Sequence, residues 1–112
     1  MIISKLFQGT EYPLEIYNEQ PIIDMGFQFV YDECGVETDF DFPDYVSSNL
    51  LVYNERLGRL IKTIPLIRNG NILIVNSTDT DFDDNGNYFY EVIYLMSGGY
   101  DQVIRYGLLT VI

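Results

Sequence analysis

The sequence contains no histidine, no tryptophan and a single cysteine among its 112 residues. Without histidine, a Ser-His-Asp or Cys-His catalytic group, a histidine-ligated metal and the usual acid-base side chain at neutral pH are all excluded. With Cys34 alone, an internal disulfide and a thiolate metal cluster are excluded as well. Acidic residues lie on both sides of Cys34 in the sequence, so we do not expect a reactive thiolate there. We therefore expect no enzymatic activity and no cofactor.

Basic residues are also scarce, since six Lys and Arg face 17 Asp and Glu and the net charge is −11. A protein that binds nucleic acid by neutralising phosphates needs a basic patch, so we expect no direct nucleic-acid contact. No apolar run approaches the roughly 20 residues of a membrane helix, and the first residues lack the apolar stretch of a secretory leader. We expect a soluble protein that is made in a cytoplasm and has no membrane partner.

The sequence does contain alternating apolar and aromatic runs that are typical of strands. The strongest of these patterns covers residues 87–112. Gly98-Gly99 between two apolar runs predicts a hairpin, because glycine supplies the positive φ of a tight turn. Side chains alternate across a strand, so each run has two largely apolar faces. In the first run one face carries Tyr88, Tyr90, Val92, Tyr94 and Met96, and the other carries Phe89, Glu91, Ile93 and Leu95. In the second run the alternation sets Ile104, Tyr106, Leu108 and Ile112 against Val103, Leu109 and Val111.

One face of this hairpin can fill a core, and the other needs a second cover that another chain can supply. We expect the tyrosine-rich face to bind a partner, with Tyr90, Tyr94 and Tyr106 as its anchors, because tyrosine suits half-buried contacts. Turn signals recur about every 8–12 residues along the rest of the chain, which is typical of sandwiches. The pattern predicts one all-β domain over residues 1–112, an antiparallel β-sandwich of seven or eight short strands.

Two features upstream refine this prediction. Asn69-Gly70 is the strongest short hairpin signal in the chain. Residues 33–43 break the strand pattern and carry four acids, so we expect a long acidic loop that Phe40 and Phe42 attach to the body.

The segment from Asp84 to Tyr90, DNGNYFY, predicts a tight turn that ends in a tyrosine at the start of a strand. The Tyr88 hydroxyl can then bond back to the backbone a few residues upstream. This resembles the tyrosine corner of immunoglobulin-like sandwiches, with Gly86 as the turn glycine and Tyr90 where antibody domains have their second cysteine. An ordinary loop before a strand is the alternative interpretation.

A longer resemblance covers residues 49–112. Three consecutive parts are similar to immunoglobulin-like domains of tailed-bacteriophage virion proteins: the segment NLLVYNERLGRLIKT, the Asn-Gly hairpin, and DNGNYFYEVIYLMSGGYDQVIRYGLLTVI with its closing Gly107-Leu108-Leu109-Thr110-Val111. The resemblance implies a structural protein of the virion, assembled in the host cytoplasm, whose partners are other virion proteins. Since the sequence stops at the closing strand, we expect an auxiliary or decoration subunit bound to the major capsid protein. A tail or baseplate adaptor is the alternative.

Charge is unevenly distributed along the chain. Four of the six basic residues, Arg56, Arg59, Lys62 and Arg68, fall in one segment, while ten acids fall in two others. One hypothesis is that acidic segments of one copy meet the basic segment of a neighbour, with Arg56 and Arg59 at the interface. A merely solvated surface is the alternative.

The segment Asp81-Phe82-Asp83-Asp84-Asn85-Gly86 matches the first half of a calcium loop, which makes Asp81, Asp83 and Asn85 calcium candidates. The match fails at position twelve, where Val92 stands in place of a bidentate glutamate, so a solvated turn is favoured. Two other classes stay open: an acidic inhibitor that mimics nucleic acid, and an adhesion module for carbohydrate, which the lack of tryptophan disfavours.

Overall fold

The computed structural model describes residues 3–7, 10–17, 25–75, 82 and 84–112. These residues form strands and connecting turns and contain no helix. The strands are β1 Ile3–Phe7, β2 Thr10–Glu11, β3 Leu14–Ile16, β4 Gly26–Glu33, β5 Val36–Asp39, β6 Tyr45–Tyr53, β7 Leu60–Asn69, β8 Ile72–Val75, β9 Gly86–Met96 and β10 Tyr100–Val111. The all-β prediction is confirmed, and the described residues form ten strands where we expected seven or eight. No helix that is long and apolar enough to cross a membrane occurs in the described part of the chain.

The strands hydrogen-bond into one curled sheet with the order β1-β4-β8-β7-β6-β9-β10-β2, while β3 also pairs with β10 and β5 with β4. Most neighbours are antiparallel, but β1 runs parallel to β4, and β2 and β3 run parallel to β10. The prediction of a purely antiparallel sheet is therefore wrong. The parallel pairs arise because the N-terminal segment pairs with both edges of the sheet. No local sequence pattern predicts this arrangement.

The terminal hairpin forms as predicted, and Ser97, Gly98 and Gly99 connect Met96 to Tyr100. Its second strand contains a bulge between Val103 and Arg105 that the alternation did not predict. An extra residue in one strand shifts all later side chains to the opposite face. As a result Ile104 and Arg105 both point inward, and Tyr106 lies on the opposite face from Ile104 instead of sharing it.

The core lies inside the curl of the sheet. It holds the inward side chains of β4, β6, β7, β8, β9 and β10, including the completely buried Phe27, Leu50, Tyr90, Tyr94 and Leu109. Buried positions alternate strictly along β9, where Tyr90, Val92 and Tyr94 have no exposed surface. Burying a large side chain contributes about 1.5–3 kcal/mol, so this face of the hairpin is a main source of stability.

A short segment, residues 10–17, closes the open edge of β10 and is called the strap. Its backbone passes so close to β10 that a Cβ at Gly107 would lie 2.3 Å from the Tyr12 carbonyl oxygen. The Tyr12 N–H donates to the Tyr106 carbonyl at 2.9 Å, and the strap buries Leu14 and Ile16. Only residues 8 and 9 separate β1, at the β4 end of the sheet, from β2 on β10. The three Cα–Cα steps from Phe7 to Thr10 span at most about 11 Å, so the two edges of the sheet, at β4 and at β10, lie near each other.

The prediction of a long acidic loop over residues 33–43 is wrong for the first half of that segment. β4 continues to Glu33 and turns back through Cys34 and Gly35 into β5, with Glu33 opposite Val36. Both turn residues have positive φ, 54° and 82°, which is the geometry of a two-residue type I′ hairpin. Asp and Glu are poor strand formers, so their pairing depends on the neighbouring backbone and not on local preference.

Phe40 and Phe42 do attach the following segment to the body, as expected. Phe42 is buried edge-on against Phe29, Tyr94 and Tyr45 at centroid distances of 5.4 to 5.9 Å, although its φ of 50° is unfavourable for a large side chain. Arg68 covers this cluster with its guanidinium 5.2 Å from the Phe42 centroid and donates to the Asp41 carbonyl at 2.7 Å. The aromatic contacts therefore hold a strained backbone in place.

Candidate functional site

The side chains that point away from the core along β6, β9 and β10 form an apolar and aromatic surface. Cross-strand pairing sets Tyr53 beside Phe89, Phe89 beside Leu108, Glu91 beside Tyr106, and Ile93 beside Val103. Neighbours in register share one face of a sheet. We call the following set the outer face: Leu51, Tyr53, Phe89, Glu91, Ile93, Val103, Tyr106 and Leu108.

The outer face is strongly apolar for a surface. Leu108 is 49% exposed and Val103 is 39% exposed, while Tyr53, Phe89 and Tyr106 are half-buried. Scattered apolar residues are normal on a surface, but a contiguous apolar patch marks a site of interaction. This patch is continuous across three neighbouring strands.

Arg56 reaches the outer face from the β6–β7 turn. Its guanidinium lies 5.5 Å from the centroid of Phe89 and 5.7 Å from that of Tyr106, so it sits over both rings. The two rings are 6.2 Å apart, and Tyr53 stands 6.2 Å from Phe89 on the other side. A guanidinium on aromatic rings is attracted by their negative faces and keeps its donors available. Arg56 and the three rings together thus offer aromatic surface and hydrogen-bond donors.

Glu91 provides the opposite charge on the same face. Burial raises the pKa of Tyr53 to about 12, and the hydrogen bond to Glu91 and its negative charge add to the increase. The Tyr53 hydroxyl therefore keeps its proton and donates it in the hydrogen bond to Glu91. Aromatic, apolar, cationic and anionic groups therefore lie side by side on the outer face.

The structure divides the predicted interface residues. Tyr106 and Arg56 come together on the outer face, but Tyr90 and Tyr94 have no exposed surface and cannot anchor a partner there. Their prediction was wrong because the tyrosine-rich face of β9 is the core face. Arg59 is exposed in the β6–β7 turn and lines a different groove. Phe89 and Tyr53 also lie on the outer face and were not among the predicted interface residues, although the charge of Glu91 within an apolar run marks the exposed side of β9.

The calcium candidates Asp81 and Asp83 lie outside the described residues, and Asn85 is exposed. Within the described ranges no three carboxylate or thiol groups come close enough to hold a metal ion. Cys34 is exposed in the β4–β5 turn.

A buried polar cluster ties the strap to the hairpin. Arg105, which the bulge turns inward, donates from Nε to the Tyr90 hydroxyl and from Nη2 to the Pro13 carbonyl at 3.4 Å. The Tyr90 hydroxyl in turn donates to the Tyr12 carbonyl at 2.6 Å. The guanidinium lies between the rings of Tyr12, Phe27 and Tyr90 at 5.1 to 5.5 Å.

Burial dominates the electrostatics of this cluster. It lowers the pKa of Arg105, and it raises the pKa of Tyr90 to about 12 although the nearby guanidinium acts in the opposite direction. The Nη1 of Arg105 is buried without a hydrogen-bond partner among the described residues. The neutral Tyr90 and the enclosed Arg105 cation connect β9 and β10 to the strap, so the cluster has a structural role.

No protein-family model matches the chain, and a comparison with curated proteins gives no significant match.

Proposed function

We propose that this chain is a non-enzymatic structural subunit of a tailed-bacteriophage particle that binds a neighbouring shell protein through its outer face. The observation that carries the proposal is the partly exposed aromatic and apolar surface of β6, β9 and β10, with Arg56 lying over Phe89 and Tyr106. The position on the particle that we favour is that of an auxiliary capsid subunit.

The strand order supports an immunoglobulin-like fold as part of this proposal. If β1, β4, β6, β7, β8, β9 and β10 receive the letters A to G in chain order, the sheet path reads A-B-E-D-C-F-G. Immunoglobulin-like sandwiches have the same neighbours, A-B-E-D in one sheet and C-F-G in the other. Two features depart from that pattern: β1 is parallel to β4, and β7 pairs with β6 and so joins the two halves.

The corner before β9 also supports it. The Tyr88 hydroxyl donates to the Asp84 carbonyl four residues upstream at 2.5 Å, so the predicted bond is confirmed. In the lettering above, β9 is strand F, where immunoglobulin-like domains place their tyrosine corner. Tyr90 follows two residues later and is completely buried, as a residue at the second cysteine position should be.

Binding through such a face needs no chemical step. Each Å² of apolar surface removed from water contributes about 25 cal/mol, less the entropy lost on docking. A single contact through this face is modest, because docking entropy offsets much of the gain. Repeated subunits on a symmetric particle gain affinity from many contacts at once.

The test is incorporation into particles. We expect mass spectrometry of purified particles from the encoding genome to find the chain at a fixed copy number. Val103→Lys and Leu108→Lys should reduce incorporation at least about tenfold, because each places a charge in the apolar contact. Val46→Lys is the matched control, since Val46 is 54% exposed and lies outside the outer face as defined above.

Normal incorporation of the two outer-face variants would contradict the proposed docking surface. Absence of the chain from particles would contradict the virion role itself. If the chain were absent and duplex DNA displaced it from a host protein, the nucleic-acid-mimicking inhibitor would be the better explanation. Cross-linking within particles separates a capsid position from a tail or baseplate position.

A further inference from the structure

Leu57 has the most exposed large apolar side chain in the part of the chain that the structure describes. It lies in the turn between β6 and β7 and is 99% exposed, whereas Val103 and Leu108 of the outer face are less than half exposed. Because nearly all of its surface meets water, Leu57 adds no apolar burial to the stability of its own molecule. We call residues 54–59 the Leu57 turn.

The backbone of Leu57 is unfavourable as well. Its φ is 61°, a left-handed conformation in which a Cβ is crowded. The Gly58 N–H donates to the Glu55 carbonyl at 2.9 Å and closes a four-residue turn with Arg56 and Leu57 at its centre. A positive φ at the third residue is the type II arrangement, where glycine or asparagine is usual. Strained residues of this kind are concentrated at functional sites, and here no burial of the side chain offsets the strain.

The Leu57 turn is held in one conformation by its own hydrogen bonds. The Asn54 N–H donates to the Arg59 carbonyl at 3.0 Å, and the Arg59 N–H donates to the Asn54 Oδ1 at 2.7 Å. The turn is also tightly packed, since a Cβ at Gly58 would collide with the Asn54 side-chain oxygen. A segment that is already ordered loses little conformational freedom on binding, so Leu57 is preorganised for a contact.

Two arginines flank Leu57 in this turn. The Arg56 guanidinium lies over Phe89 and Tyr106, so the Leu57 turn adjoins the outer face. Arg59 is exposed on the other side of Leu57 in the sequence. Among the described residues neither guanidinium donates a hydrogen bond or forms an ion pair. Carboxylates are the acceptors that match guanidinium donors best.

We propose that Leu57 is the anchor of the contact with the shell protein and inserts into an apolar pocket of that protein, whose rim carries carboxylates for Arg56 and Arg59. The anchor rests on the proposed function, and it names the part of the contact that determines which partner fits. Insertion removes a fully exposed leucine from water, and the outer face packs beside the pocket. An anionic membrane is disfavoured as the partner, because a chain with a net charge of −11 is repelled by it.

Binding of the purified full chain to particles that were assembled without it tests this anchor. We expect Leu57→Asn to lower the affinity at least about tenfold, because the side chain that fills the pocket is lost. The urea midpoint of Leu57→Asn should equal or exceed that of the wild type, because asparagine tolerates a positive φ better than leucine. Leu57→Met keeps an apolar group of similar size and should bind within about threefold of the wild type. Val36→Asn is the matched control, at an apolar residue 64% exposed in the β4–β5 hairpin, and should bind like the wild type.

Salt dependence tests the carboxylate rim. The affinity of the wild type should fall between about 0.05 M and 0.3 M salt, and that of Arg56→Gln with Arg59→Gln should fall clearly less. An unchanged salt dependence in this double variant would overturn the carboxylate rim.

The remaining outcomes separate the anchor from the proposed function. Wild-type affinity of Leu57→Asn would overturn the anchor and leave the docking of the outer face in place. A lower urea midpoint of Leu57→Asn would contradict the backbone strain. A wild type that does not bind the particles would overturn the proposed function and the anchor with it. Binding to phosphatidylglycerol vesicles that is lost in Leu57→Asn would replace the protein pocket with a membrane.

Discussion

Gly107 is the position where the smallest change should have the clearest effect. A Cβ at this residue would lie 2.3 Å from the Tyr12 carbonyl oxygen and 2.9 Å from its carbon, and real contacts under 3.0 Å essentially never occur. In Gly107→Ala the strap must therefore move by about 0.7 Å away from β10. The movement affects the bond from the Tyr12 N–H to the Tyr106 carbonyl and the bond from the Tyr90 hydroxyl to Tyr12.

The expected loss follows from these contacts. Two hydrogen bonds contribute about 1 kcal/mol each, and alanine at a φ of +156° adds about 1 kcal/mol of backbone strain. We expect Gly107→Ala to lower the free energy of unfolding by about 3 kcal/mol. The loss is larger if the strap detaches, because Leu14 and Ile16 then become exposed.

Urea unfolding followed by circular dichroism measures this loss, and Gly99→Ala is its matched control. Gly99 has a φ of +87° and nothing within 4 Å of an added Cβ, so its substitution costs only about 1 kcal/mol of backbone strain. Faster amide hydrogen exchange at the strap should accompany Gly107→Ala alone. Equal losses for the two variants would refute the close packing of the strap on β10.

Three further predictions concern tyrosine and arginine contacts. Burial raises the pKa of Tyr90 from 10.0 to about 12, so its contribution to the free energy of unfolding is complete below pH 10 and is lost as the pH rises through 12. Unfolding free energies between those pH values should fall more steeply for the wild type than for Tyr90→Phe, and parallel curves would contradict the assignment. Tyr88→Phe should cost about 1 kcal/mol in urea unfolding, whereas Tyr100→Phe, at a residue 72% exposed, should cost nothing measurable. Arg68→Met should lower the free energy of unfolding by about 1–2 kcal/mol, because the guanidinium covers Phe42 and donates to the Asp41 carbonyl. Amide exchange over residues 40–45 should become faster, and Arg59→Met is the control. Unchanged exchange in Arg68→Met would argue against this role.

Several features could be predicted because their causes are local. Strand alternation indicated two faces for the terminal hairpin, and the Gly98-Gly99 turn placed its reversal correctly. The spacing from Asp84 to Tyr88 predicted the corner hydrogen bond. The Asn-Gly signal predicted the β7–β8 hairpin, although the turn residues are Gly70 and Asn71, with Gly70 at a φ of 63°. Each of these depends on a few consecutive residues whose φ and side-chain directions are set by short-range sterics.

The candidate site could be predicted only in part. An apolar-aromatic face of the hairpin was expected to be available for contact, and Tyr106 and Arg56 lie on such a face. Tyr90 and Tyr94 were assigned to it wrongly, because an alternating run with two apolar faces does not show which one the rest of the chain covers. The answer depends on Phe27, Leu50 and Phe42, which are distant in sequence and fill the space against the Tyr90 side.

Local sequence patterns were enough to predict the secondary structure class, the main turns and the two apolar faces of the terminal hairpin. The tertiary structure decided which face is buried, where the bulge at Ile104 reverses the later side chains, and how the strap closes β10. It also decided that Arg105 lies inside the core and that acidic residues 32–39 pair as a hairpin. The physical reason is that period-two alternation and turn geometry act over a few residues, whereas burial, register and edge closure depend on contacts between distant segments.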